Sequence, residues 1–149
     1  MYQLLCSMFV KVPWRKLTCN NYASPKWIFI LNLAAWGRLN TKDRLAKWGI
    51  VSEQKCILCK EQNEIITHLF FECKISTELW GKMLLWQGIR ISVMTWKEEL
   101  HWAVSKMKGE NVSAEIYRMA FAGCVYYIWQ ERNLRVFQSN QRSVGMITR

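Results

Sequence analysis

Residues 56–73 read CILCKEQNEIITHLFFEC and gather three of the chain's six cysteines and one of its two histidines in the pattern C-x2-C-x8-H-x4-C. Zinc favours four tetrahedral ligands of thiolate and imidazole type, and a C-x2-C turn delivers two sulfurs together. Cys56 and Cys59 form that first pair; His68 and Cys73 form the second. On an unbroken helix His68 and Cys73 would point about 140° apart, at about 100° per residue. They can share one metal only where the chain turns before Cys73, and Lys74 to Thr77 leaves room for such a break. Four protein ligands leave no open coordination position, so the spacing predicts one structural zinc per chain and not a catalytic one. The competing reading of His68 is a hydrogen-bonded core histidine beside Leu69, Phe70 and Phe71.

The rest of the chain can fold around such a site. Its 149 residues make one ordinary domain, and 51% hydrophobic residues with nine tryptophans give it far more surface to bury than a disordered chain has. Outside the cluster lie Cys6, Cys19 and Cys124, an odd number with no pairing scheme, as expected of buried thiols in a reducing compartment. No basic region precedes the short apolar run MYQLLCSMFVKV, and the longest apolar run, WIFILNLAAW, is about half of the roughly 20 residues a membrane span needs. The expectation is a soluble intracellular protein, nuclear or cytoplasmic, with no membrane partner.

Elsewhere the pattern is helical. Ser24-Pro25 opens a helix running to Trp36 and stopped by Gly37; Asn40 or Thr41 caps a short helix, KDRLAKW, closed by Gly49 with Ile50 available for the accompanying apolar contact. Ser76 is the expected cap of TELWGKMLLWQ, whose Leu79, Trp80, Met83, Leu84 and Gln87 share a face before Gly88 ends it. Thr95 and Glu98 make a capping box for WKEELHWAVSKM, with a stripe of Trp96, Leu100, Ala103, Val104 and Met107 and a stop at Gly109. A long helix from about Ser113 to Phe137 follows, its expected buried stripe being Ile116, Met119, Ala120, Phe121, Cys124, Tyr127 and Ile128. The fold class is therefore mostly α: a small helical domain with a loop-rich CCHC zinc knuckle and a long C-terminal helix. Residues 12–88 read as the zinc-binding unit, 89–137 as a helical extension packing on it, and 138–149 as a disordered tail.

The segments SPKWIFILNLAAWGRLNTKDRLAKWGI, CILC, THLFFEC and ELW, in that order, resemble the zinc-binding domain that follows the polymerase in plant non-LTR retrotransposon reverse transcriptases. The resemblance runs from about Trp14 to Trp86 and puts the family's ligands on Cys56, Cys59, His68 and Cys73, the four that spacing already selects. IWQERNLRVF, from Ile128, is similar to a segment common downstream in these elements. Two departures stand out: Ile65-Ile66-Thr67 follows Glu64 where an acidic Glu-Thr step is frequent, and Asn32 stands where an aromatic is frequent.

The resemblance does not imply an enzyme. Polymerase and ribonuclease H chemistry need clustered carboxylates to hold two metal ions, and this chain has a single aspartate, Asp43. A G-x-S-x-G elbow and a Gly-rich phosphate loop are both missing, and pairing Cys6, Cys19 or Cys124 with His101 finds no activating neighbours. Net charge is +10, with eight Lys/Arg against one acid in residues 1–50, six against seven in 51–100 and seven against three in 101–149. Such a chain is attracted to polyanions, although a solvated basic surface explains the same charge.

Two functions follow. The first is a nucleic-acid-binding module, RNA or DNA, whose contacts come from Arg38, Lys42, Arg44 and Lys47 before the cluster and Lys55, Lys60 and Lys74 around it. Exposed aromatics such as Trp48 or Trp86 would stack on bases, while helical spacing favours both as core. The second is a structural or protein-interaction domain with Trp-rich docking helices, in which zinc only stabilises the fold; a retroelement remnant without a function is the third possibility.

Overall fold

The computed structural model describes residues 17, 23–89, 93–106 and 111–138. Cys6, Cys19, Met107, Gly109 and the tail 139–149 lie outside the described residues. Six helices form among them: α1 (Pro25–Ala35), α2 (Lys42–Lys47), α3 (Ile66–Leu69), α4 (Lys74–Trp86), α5 (Trp96–Lys106) and α6 (Val112–Gln138). The mostly α fold with a long C-terminal helix is thus the observed one, and an isolated bridge between Lys55 and Asn63 is the sole β-type pairing among the described residues.

Helix ends follow the glycines. Gly37, Gly49 and Gly88 all have positive φ, the left-handed conformation that costs glycine least. Ile50 N–H reaches back to Leu45 O at 3.0 Å, but Ile50 is 65% exposed and so adds little buried apolar surface to this helix end. Ser24 and Thr41 stand at their N-cap positions without a side-chain cap hydrogen bond. The Thr95–Glu98 box forms reciprocally, Thr95 N–H to Glu98 Oε2 at 3.3 Å and Glu98 N–H to Thr95 Oγ1 at 3.4 Å. Helix α4 starts earlier than Ser76: Cys73 is its N-cap, and the buried Ser76 hydroxyl accepts from Phe71 N–H and donates to Cys73 O, both at 3.0 Å.

The core is a box of aromatic rings. Trp80 of α4 meets Phe121 of α6 edge-on at 5.4 Å, Trp96 of α5 stacks on Phe121 at 5.8 Å, and Tyr117 packs on Trp80 at 5.6 Å. The loop before α4 adds two more rings, Phe70 against Trp96 at 5.3 Å and Phe71 against Trp80 at 5.6 Å. Helix α1 lies along α6 because Gly123 leaves room for Trp27: a Cβ there would stand 2.8 Å from the indole. The α6 stripe is rotated from the expected one. Phe121, Cys124 and Ile128 are buried, but Ile116 and Met119 are exposed, and Tyr117 and Val125 take the inward positions.

Candidate metal centre

The four residues singled out by spacing come together. Cys56 and Cys59 sit in a tight turn closed by Lys60 N–H to Cys56 O at 2.8 Å, and Cys56 N–H bonds Gln62 O at 2.7 Å. That turn drives Lys60 to φ 60, a left-handed conformation that an L residue adopts at some cost. The break required between His68 and Cys73 is also present. Helix α3 ends at Phe70 in extended geometry, Phe71 takes φ 84, and Cys73 N–H returns to His68 O at 2.7 Å. Phe71 is held in that strained conformation by burial of its ring against Trp80, Trp96 and Phe121.

All four donor atoms lie within 4.8 Å of one another, and all four residues are buried. Cys56 Sγ and Cys73 Sγ are 3.9 Å apart, and Cys59 Sγ is 3.3 Å from His68 Nε2. Two thiolates about 2.3 Å from a tetrahedral zinc stand about 3.8 Å apart, and a thiolate and an imidazole nitrogen about 3.5 Å apart, so the cluster has the dimensions of a zinc cage. A disulfide needs sulfurs about 2.05 Å apart, and these cysteines are free thiols.

The electrostatics suit the same ion. Burial holds the His68 imidazole below its ordinary pKa, against the opposing pull of Glu72 and Glu64, which favours the neutral form that ligates. Nδ1 of His68 is buried without a hydrogen-bond partner among the described residues, while Nε2 meets Cys59 Sγ, a fellow member of the cluster. The hydrogen bond from Cys56 to Cys73 pushes the Cys56 thiol up, with burial adding to it, and holds the Cys73 thiol down. The donor set of three soft sulfurs and one imidazole fits zinc.

The chain matches, over residues 1–80, the family described as zinc-binding in reverse transcriptase. It belongs to that family. All four cluster residues fall inside the matched region, whereas α5 and α6 of this reverse-transcriptase zinc-binding chain lie beyond it. No curated protein and no solved structure matches the chain. No helix among the described residues is long and apolar enough to cross a membrane.

The basic residues expected to meet nucleic acid all lie at or near the surface. Arg38, Lys47, Lys55, Lys60 and Lys74 are exposed, and Lys42 and Arg44 are half-buried. Lys42 Nζ donates to Lys55 O at 2.8 Å, which joins the α2 group to the zinc loop. Lys74 is paired with Glu61 at 2.9 Å, both exposed. Trp48 and Trp86 are not core residues: they are 56% and 73% exposed, because each sits at the helix end where the chain leaves the packed layer.

Sequence reasoning missed the group that braces the loop. Glu64, fully buried, accepts from Arg132 Nη2 at 2.8 Å and Nε at 3.1 Å and from Lys42 N–H at 2.8 Å. Arg132 also donates to Asn40 O at 3.1 Å and lies over the Trp129 ring. Both residues were in view, Glu64 beside a departure from the family pattern and Arg132 within IWQERNLRVF; no spacing rule connects positions 68 residues apart.

Proposed function

We propose that this chain is a non-catalytic module that holds one zinc ion through Cys56, Cys59, His68 and Cys73 and binds RNA or DNA through the cations around that site. The observation that carries the reading is a closed, buried four-donor cluster whose rim bears Lys55, Lys60 and Lys74. A zinc with three thiolates and one neutral imidazole has a net charge near −1, which the rim lysines offset, and Lys55 and Lys60 are exposed to meet phosphate while Lys74 is paired with Glu61. The family's zinc-binding domain is distinct from the catalytic domain, and the chain's one aspartate supplies no carboxylate pair. The resemblance of GRLNTKDRLAKWGI and HLFFEC supports an origin in plant non-LTR retrotransposons and work in the nucleus or cytoplasm, without polymerase chemistry of its own. Residues 12–88 form the zinc-binding unit and 89–137 an extension that completes its core.

Elemental analysis of the purified protein beside a C73S preparation tests the metal. One zinc per chain, lost in C73S together with cooperative unfolding, is expected; a well-folded protein without zinc would sink the ligand set. Titration with RNA and DNA across about 50–200 mM salt tests the partner, with affinity expected to fall steeply as salt rises.

One observation favours the second reading, a protein-docking role. An apolar cavity of about 380 Å³ opens between α1, α4 and α6, lined by Trp27, Met83, Met119 and Tyr127 with Trp86 at its side. A strictly monomeric protein that binds no apolar dye would count against that reading.

A further inference from the structure

Resting on the nucleic-acid reading, we infer that the surface from Trp36 to Trp48 is a stacking platform for unpaired bases, and that the module binds single-stranded nucleic acid in preference to duplex. Trp48, at the C-terminal end of α2, is 56% exposed as a residue, and the Arg44 guanidinium stands 5.2 Å from the centre of its ring. The same Arg44 donates from Nη1 to Gly37 O at 3.1 Å, in the turn that carries a second pair: Arg38 lies 5.2 Å from the ring centre of Trp36, which is 39% exposed. Arg44 therefore fixes one cation-covered indole to the turn that holds the other.

The chemistry of this surface selects its ligand. Between Trp36 and Trp48 stand four cations, Arg38, Lys42, Arg44 and Lys47, against the single acid Asp43, which is already engaged by the Thr41 hydroxyl. Cations track a phosphate backbone, and indole and guanidinium planes stack on any base that is free of its partner. A paired base in a duplex hides both faces from such planes, so the platform discriminates by strandedness and not by sequence.

The experiment uses the full zinc-loaded chain and a fluorescein-labelled 12-nucleotide single strand, oligo(U) or oligo(dT), with a duplex of the same length as comparison. Wild type is expected to bind the single strand more tightly than the duplex. Trp48→Ala should weaken single-strand binding roughly 5- to 150-fold with little change in the salt slope, as base stacking contributes about 1–3 kcal/mol per base. Trp48→Phe, which keeps a ring, should retain most of the affinity and guards against misfolding of the alanine variant. Trp86→Ala removes a more exposed indole outside the platform and should leave affinity within about twofold. Salt-sensitive binding that both Trp48 variants leave unchanged would overturn the platform while the nucleic-acid reading stands. Absence of salt-sensitive binding by wild type would overturn both, and equal losses in Trp48→Ala and Trp86→Ala would overturn the platform.

Discussion

Glu64 and Arg132 show how one pair of residues can hold two distant parts of a chain. Their side chains are almost fully buried, and charges taken out of water are tolerated only when their hydrogen-bonding capacity is used. Here it is used: Glu64 serves Arg132 and the first turn of α2, and Arg132 serves Glu64, Asn40 and Asn133. Removing either partner strands the other, so Glu64→Gln or Arg132→Gln is expected to lower the free energy of unfolding by about 3–5 kcal/mol. The double variant strands no charge and should cost less than the sum, with a coupling of about 1–3 kcal/mol in a double-mutant cycle measured by urea unfolding. Additive losses would mean that the two residues do not hold each other.

At the scale of elements, the legible features were those with local causes. The left-handed glycines and the Thr95–Glu98 box are each dictated by residues within a turn of one another, and the break between His68 and Cys73 was legible because the ligand spacing requires it. The start of α4 differs from the expected one because Cys73 takes the N-cap position without a side-chain capping bond, while the Ser76 hydroxyl turns inward to the backbone of Phe71 and Cys73. The turning of α6 was misread because periodicity assigns charged residues outward, whereas Arg118, Glu131 and Arg132 are buried there. The same blindness hid Glu99 on α5, which lies fully buried and accepts from Trp80 Nε1 at 2.6 Å and from Met94 N–H at 3.2 Å. Burial raises the Glu99 carboxyl above its ordinary range, with the two hydrogen bonds pulling the other way. A folded-state pKa above the unfolded one means stability that is fully present below about pH 4.3 and lost as pH rises through the raised value. Glu99→Gln keeps a neutral side chain at every pH. The stability of wild type minus that of the zinc-loaded variant should therefore fall as pH is raised from about 5 to 8; subtraction cancels acid release of the metal, since both proteins carry the same ligands. A flat difference would show that burial does not perturb Glu99.

On the scale of the whole molecule, the question is whether the metal loop and the helices are separate parts. The family match ends at residue 80, yet the core it implies does not. Phe70 and Phe71 leave the loop to pack on Trp80, Trp96 and Phe121, Cys73 begins α4, and Glu64 is locked to α6. Structural zinc contributes an apparent free energy of about 10–16 kcal/mol in small zinc domains, comparable to or larger than the roughly 5–15 kcal/mol that stabilises a whole domain. Withdrawal of zinc should therefore not merely loosen residues 56–73. With the loop released, two rings leave the aromatic box, the Cys73 backbone that leads into α4 loses its anchor, and Arg132 keeps its charge without its partner. The expected outcome of adding excess chelator at neutral pH is a single transition, in which near-ultraviolet circular dichroism from Trp80 and Trp96 collapses in step with zinc release followed by a metallochromic dye. A tryptophan signal that outlives the metal would show the opposite arrangement, a helical bundle that stands by itself and carries its zinc loop as an appendage.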